Sequence, residues 1–392
     1  MKNILKDRVF HIALISLLVA VLCSIWYYTR CGIQGLMNWH LFFNGLFKGF
    51  FAVCLLPVIA IIPWLIWKNR PTAVVSTVFS CIAAGFWLIL VIAINVMNCL
   101  GTPASGLTLL KASDPLPVHE VSSYDFTTPV AKFGFASDPH WGASHENATA
   151  RTKVLDGLDS SNNDAVFLLG DIAEMGILFD YPNAISDLEE HLSDVPLRVL
   201  PGNHDTIVCA LPHFKKMFCQ KGEPDYYRMD GGKVHVLVIC VLWDQHEFNK
   251  KQEKWLVEQL ESIPEEDTVI VLSHCYLYGS GYYDELAGKY WGDIPEVTDW
   301  ICPILEKYNV DLAINGHDHF FEYLEQWNTA YSVVGTMGGK LDENLEYVSP
   351  HSKWLDNTVF GWLETTIYTN RIELEYFDED GNMIHKETKF TK

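Results

Sequence analysis

The nine residues Leu197–Asp205, LRVLPGNHD, set an apolar run directly before a turn of Gly, Asn, His and Asp. LRVL is short and hydrophobic, as a strand buried on both faces should be. Pro201 and Gly202 stop it, and Asn203, His204 and Asp205 then bring three polar side chains to its C-terminal end. The same grammar recurs four more times. KFGFAS precedes Asp138-Pro139-His140, VFLL precedes Gly170-Asp171, VIVLS precedes His274, and DLAIN precedes Gly316-His317-Asp318-His319. Loops at the C-terminal ends of strands are where α/β sheets carry ligand-binding groups, so five such ends can converge on one point. A donor set of His, Asp and Asn without Cys is a mixed N/O shell, suited to Mn, Fe or Zn rather than to a thiolate structural zinc.

Working outward, the spacing predicts strands over 132–136, 165–169, 197–200, 234–242, 268–272 and 311–314. Helical patterns cover 146–158, 183–192, 250–261 and 296–308. That alternation indicates an α/β domain with buried strands. Further on, 331–334, 360–368 and 371–377 read as antiparallel strands, with Thr369-Asn370 as a turn between the last two. Upstream, 101–129 is rich in Pro, Ser and Thr without periodicity and reads as a linker.

The first hundred residues differ in kind. Val9–Tyr28, Gly49–Trp67 and Thr72–Leu100 are uncharged apolar runs, each long enough to cross a hydrocarbon core of about 30 Å as a helix. Three transmembrane helices are expected over 1–100, the second kinked by Pro57 and Pro63. Lys2, Lys6, Arg8, Lys68 and Arg70 then lie on the cytoplasmic side, against Arg30 and Lys48 on the other. An odd number of spans places the remainder outside the cytoplasm, in a periplasm, an exterior or a lumen.

Charge follows the same division. Residues 1–110 hold seven Lys and Arg and one acid, Asp7; the rest hold 21 basic and 48 acidic residues, a charge of −27 within the chain total of −21. A domain that acidic repels nucleic-acid backbones, and nucleic acid is excluded as a partner. It can bind a phosphate if cations sit between. Five of the ten cysteines fall in the second part; Cys209 and Cys219 are spaced for a local disulfide or are two buried thiols.

The five blocks, in order, resemble the calcineurin-like metallophosphoesterase superfamily, whose pattern is DxH, GD, GNH[DE], H and GHxH. The resemblance spans 138–319 and implies a two-sheet α/β sandwich over 130–392 with two divalent or trivalent metal ions. Position by position it implies that Asp138, His140 and His319 bind one metal and Asn203, His274 and His317 the other. Asp171 would bridge them, and His204 would contact the phosphoryl oxygen or leaving group with Asp205 orienting it. The implied reaction is hydrolysis of a phosphomonoester, phosphodiester or pyrophosphate by a metal-bridging hydroxide, since a water held by two cations ionises near neutral pH. The membrane anchor adds lipid-linked phosphate esters to the expected substrates. The rival reading is a non-catalytic scaffold of the same fold at the membrane.

The branch containing purple acid phosphatases is similar in the helix QEKWLVEQL (252–260) and the glycine turn VVGTMGG (333–339). The chain departs from it at His140, where those enzymes have Gly, and at Glu174, where they have the Tyr that colours the centre. No purple centre is expected. Trp141 reads as a pocket floor or as core, and Tyr276, Tyr278, Tyr282 and Tyr283 as an aromatic wall beside the metals or as local packing.

Overall fold

The computed structural model describes residues 7–31, 59, 62, 70–99, 103–176, 179–242, 248–284 and 289–391, which divide into two units. In the first unit, α1 (Arg8–Cys31) and α2 (Arg70–Cys99) are the two described helices long and apolar enough to cross a membrane, each with a mean hydropathy of 2.5 over its span. Three spans were expected; the middle one, 49–67, lies outside the described residues except for Ile59 and Ile62. The two helices meet along small side chains, Ala13, Ser16 and Ala20 on α1 and Ala73, Ser80 and Ala84 on α2, all buried. The Ser16 and Ser80 hydroxyls bond to each other at 2.8 Å in this seam. Large residues such as Ile15, Ile82 and Ile89 point outward.

The second unit is built on two sheets. The first, in spatial order β15-β14-β13-β1-β2-β3, joins three parallel strands, β1 (Ala131–Ala136), β2 (Ala165–Leu168) and β3 (Leu197–Val199), to an antiparallel meander. That meander is β13 (Gly361–Ile367), β14 (Arg371–Asp378) and β15 (Met383–Phe390). The second sheet runs β12-β10-β11-β9-β6-β5-β4. Its middle four, β5 (Val234–Val238), β6 (Thr268–Leu272), β9 (Leu312–Asn315) and β11 (Thr329–Val333), are parallel. Antiparallel β4 (Tyr227–Gly231), β10 (Phe321–Gln326) and β12 (Ser352–Asp356) lie outside them. A hairpin of β7 (Tyr283–Asp284) and β8 (Lys289–Tyr290) stands apart. The core lies between the sheets, where Phe133, Phe135 and Phe167 of one face Val236, Ile270, Leu312 and Phe321 of the other.

Helices cover the outer faces. On the first sheet lie α3 (Ala148–Ser160), whose Leu158 packs on Gly134 of β1, and α4 (Asp180–His191). After α5 (Leu211–Phe218), α6 (Lys250–Ser262) and α8 (Cys302–Lys307) bury Leu256, Leu260 and Leu305 against Leu237, Val271 and Ala313 of the second sheet. The single helix expected over 296–308 is divided into α7 (Pro295–Thr298) and α8, with Pro303 at the start of the second; proline lacks the N–H that a continuous helix needs. α3 starts on Asn147, whose side chain caps Ala150 N at 3.0 Å.

The stretch expected as a linker is integral to this unit. Leu109 bridges in parallel to Leu197 at the open edge of β3, with Leu110 N donating to Leu197 O at 2.8 Å. Leu116 is buried and its N–H donates to Asp230 O on β4, the edge strand of the other sheet. One extended segment therefore closes both sheet edges, which would otherwise present unpaired backbone groups. A buried Arg198 fastens it, reaching Leu110 O at 2.9 Å and Glu223 at 2.8 Å.

Candidate metal centre

β1, β2, β3, β6 and β9 all end toward one place, and the loops that follow meet there. Parallel bridges tie them: Ser137 pairs with Thr336, and Trp141 with Ala173. Met337 N donates to Ser137 O and Gly339 N to Asp138 O, both at 2.8 Å. Asp138, His140, Asp171 and His317 all have positive φ, between 48° and 75°. Non-glycine residues seldom adopt this conformation, and it clusters at functional sites where the surroundings enforce it.

Two groups of donor atoms result. In one, His140 Nε2 lies 3.2 Å from His319 Nε2, 3.7 Å from Asp138 Oδ1 and 3.6 Å from Asp171 Oδ2, and His319 Nε2 is 3.5 Å from Asp138 Oδ1. In the other, Asn203 Oδ1 lies 2.8 Å from both His274 Nε2 and His317 Nδ1, and His274 Nε2 is 3.4 Å from Asp171 Oδ1. Asp171 thus turns one oxygen to each group. His204 Nε2 is 4.0 Å from Asp171 Oδ2, and its ring stands edge-on to His140 at 4.6 Å.

Tautomers decide what these atoms are. His140 Nδ1 is 2.9 Å from Glu174 Oε2, His274 Nδ1 is 2.8 Å from Leu169 O, and His319 Nδ1 bonds Lys340 O. Each acceptor requires a proton on Nδ1, so in the neutral ring, the form that can bind metal, each Nε2 turns a lone pair inward. Lone pairs of His140 and His319 then face each other, and those of His274 face the Asn203 carbonyl oxygen. Such acceptor–acceptor contacts are repulsive unless something positive lies between. Asp138 Oδ1, buried and without a hydrogen-bond partner, makes the same demand.

Electrostatics agree. Burial acts to lower His140 and His274, but the carboxylates of Asp138, Glu174 and Asp171 reverse this, holding His140 well above its ordinary value and His274 at about 9. Burial acts to raise Asp138 and Asp171, and the imidazoles around them hold both low. The carboxylates draw positive charge to the centre, and metal cations supply it without protonating the ligands. Burial and the like-charged His274 depress His317 to about 3, which leaves it a free base. The donor set therefore fits two cations.

The remaining residues have other tasks. Asp205 does not touch the His204 ring. Its carboxylate takes hydrogen bonds from Gly202 N (2.8 Å), Ile172 N (3.1 Å), Ala173 N (3.3 Å) and the Tyr181 hydroxyl (2.9 Å). It fastens the GD and GNHD loops together. His204 Nδ1 is oriented by the Glu174 carbonyl at 2.8 Å, so the orienting partner is Glu174 and not Asp205. Glu174 was visible in the sequence only as a departure from the purple enzymes; its place three residues after Asp171 was the one signal. Arg151 and Asp187 gave none. The Arg151 guanidinium lies over Trp141, and Asp187 accepts from Trp141 Nε1 at 2.7 Å; Trp141 is core. The Cys209 side chain lies outside those described, and with it the Cys209–Cys219 pairing.

Comparison with known proteins followed the same lines. Residues 131–321 match the family model of the Calcineurin-like phosphoesterase. A relative from Arabidopsis thaliana, "Probable inactive purple acid phosphatase 1", is 27% identical over 275 residues, 60% of this chain and 44% of that protein. The chain thus spans less than half the length of that relative. Among solved structures, the purple acid phosphatase PPD1 of yellow lupin (Lupinus luteus) seeds superposes with a TM-score of 0.56 at 19% identity, over 66% of this chain and 53% of that one. "GAP50 the anchor in the inner membrane complex of Plasmodium" does so at 0.52 and 16%, over 67% and 89%. Residues 131–321 thus carry the match to the calcineurin-like phosphoesterase model, on a two-sheet α/β fold shared with these solved structures.

Proposed function

We propose that this chain is a membrane-anchored phosphoesterase with two metal ions, hydrolysing a phosphomonoester, phosphodiester or pyrophosphate. One observation carries the reading: imidazole lone pairs, a buried unpartnered carboxylate oxygen and the Asn203 carbonyl converge in two groups that share only Asp171. Asp138, His140 and His319 would hold one ion, Asn203, His274 and His317 the other, and Asp171 both. When bound, such a pair neutralises phosphoryl charge and lowers the pKa of water toward about 7.

The chain's own groups do the rest. Glu174 holds His140 and His204 in the tautomers that turn Nε2 inward. Burial, chiefly, keeps the pKa of His204 low, and its Nε2 faces the same space as Asp171 Oδ2, where it can bond a phosphoryl or leaving-group oxygen. Asp205 positions the loop that carries Asn203 and His204.

The seam of α1 and α2 supports the anchor. Close contact of small residues with a hydroxyl pair inside and large aliphatic residues outside suits helices that associate in lipid. With a further span in 49–67, the catalytic domain would lie outside the cytoplasm, facing phosphate esters at the bilayer, lipid-linked ones included.

The test is metal analysis of the purified full-length chain together with hydrolysis of p-nitrophenyl phosphate and its diester in Mn, Fe or Zn. About two ions per chain are expected, and metal-dependent turnover should be lost in Asp171→Ala and Asn203→Ala. Full turnover in either variant overturns the site. Little or no bound metal would favour a scaffold, a role suggested by the Arabidopsis relative called inactive and by the Plasmodium anchor.

A further inference from the structure

The run Tyr276, Tyr278, Tyr282 and Tyr283 divides in the structure. Tyr276 and Tyr278 are buried: the first lies against the His317 ring at 5.9 Å, the second edge-on to Tyr331 at 4.9 Å. Tyr283 instead stands on the β7–β8 hairpin, 39% exposed, with its ring 5.0 Å from Tyr290, which is 50% exposed. Tyr347 adds a third ring, 6.2 Å from Tyr290. Sequence separation concealed the last two.

Three neighbouring aromatic rings on the surface of an acidic domain form a patch that calls for a partner, and the scaffold beneath them is fixed. The Tyr347 hydroxyl donates to Asp293 Oδ2 at 2.6 Å, and Asp293 Oδ1 accepts from Gly279 N at 3.1 Å. Gly281 and Tyr347 form an antiparallel bridge. Ser280 N and Oγ donate to the buried Glu322 carboxyl at 2.8 and 2.6 Å. The patch is linked to the metal centre through the chain: Tyr283 follows His274 by nine residues, and between them the buried Tyr276 lies against the His317 ring. A Cβ on Gly279 would lie 3.6 Å from Oδ2 of Asp318, the residue between His317 and His319; one on Gly292 would lie 3.1 Å from Gly279 O and 2.7 Å from the Tyr347 ring.

We propose that Tyr283, Tyr290 and Tyr347 form a subsite for a planar aromatic ring on the alcohol side of the phosphate ester, a nucleoside or an aryl group. The proposal rests on the phosphoesterase reading and specifies its substrate class. Edge-to-face rings meet a planar partner in offset or T-shaped geometry, a gain beyond area that an alkyl chain lacks. The charge of the domain disfavours a polyanion, so a mononucleotide fits where a nucleic acid does not.

The experiment uses the full-length protein with Mn. Adenosine 5′-monophosphate and 1-naphthyl phosphate are compared with glycerol 3-phosphate and dodecyl phosphate as substrates. Binding of 2-aminopurine riboside 5′-monophosphate is followed separately by fluorescence. In Tyr283→Ala/Tyr290→Ala the ratio of kcat/KM for ring-bearing over glycerol ester should fall roughly 10- to 100-fold, mostly through KM, the size of one ring–base stack. The fluorescent nucleotide should weaken in parallel, and Tyr290→Phe should restore both. An unchanged ratio, equal loss on all esters, or loss confined to dodecyl phosphate overturns the subsite while leaving the hydrolase. Ring-dependent binding that needs these tyrosines, in a protein that hydrolyses none of the four and neither bis(p-nitrophenyl) phosphate nor pyrophosphate, upholds the subsite and overturns the hydrolase.

Discussion

Glu174→Gln should separate the two halves of the proposed metal centre. The Glu174 carboxylate accepts from His140 Nδ1 at 2.9 Å, while its backbone carbonyl, which the substitution keeps, holds His204. The acceptors that fix His274 and His319 are Leu169 O and Lys340 O instead. A hydrogen bond to a charged acceptor contributes about 1.5–3 kcal/mol net and a neutral one about 0.5–1.5. The carboxamide should therefore cost about 1–1.5 kcal/mol of His140 orientation, or roughly tenfold in affinity at one ion. Glu174→Ala, with no acceptor, should approach the upper end of the 10- to 100-fold range for outer-shell partners of a metal-binding His. Competition with a chelator, read by calorimetry, should resolve two ions in the native chain and weaken one of them in each variant. Equal weakening of both ions, or of neither, would refute the assignment of His140 to its own half.

Three further outcomes are expected. Leu116→Ala, at a buried position in the segment that closes both sheet edges, should cost about 2–5 kcal/mol and lower the melting temperature by on the order of 5–15 °C; a loss under about 1 kcal/mol would mean that the segment is dispensable. Gly339→Ala would set a methyl 2.8 Å from His140 Cδ2 and 2.9 Å from both His319 Cε1 and Asp138 O, so metal affinity at that half should fall at least about tenfold with the far-ultraviolet circular dichroism retained; unchanged affinity would contradict the contact. Burial raises the Glu322 carboxyl above its ordinary 4.5 despite the hydrogen bonds from Ser280. A raised acid binds its proton more tightly in the folded state, so its contribution to stability is complete below pH 4.5 and lost as pH rises through the folded value. Glu322→Gln, which keeps an acceptor for Ser280, should flatten melting temperature against pH above 4.5, and an unaltered slope would count against it.

The sequence marked the metal ligands because each block is local: a buried strand, a stop, then donors within three residues. It read the buried strands from their apolar runs, since a strand covered on both faces must be apolar throughout, but it grouped 331–334 with the antiparallel tail, whereas β11 lies parallel to β9. It did not reveal β15, whose MIHKETKF alternates with polar residues at an exposed edge, or β12, which reads as loop because only one side is covered. The stretch 109–116 lacked any period because it follows two sheet edges rather than a face of its own.

Composition and block order alone determined the apolar N-terminal region, the acidity of the remainder, the α/β class and the seven residues proposed to hold metal. Only the tertiary structure decided which donors lie together, that Asp171 turns one oxygen to each group, and that the Glu174 carbonyl rather than Asp205 bonds the His204 ring. It also brought Tyr347 beside Tyr290. The reason is physical: a strand and its turn are set by neighbours in the chain, whereas lone-pair directions and hydrogen-bond partners depend on segments far apart in sequence. Those become neighbours only when the two sheets close on one another.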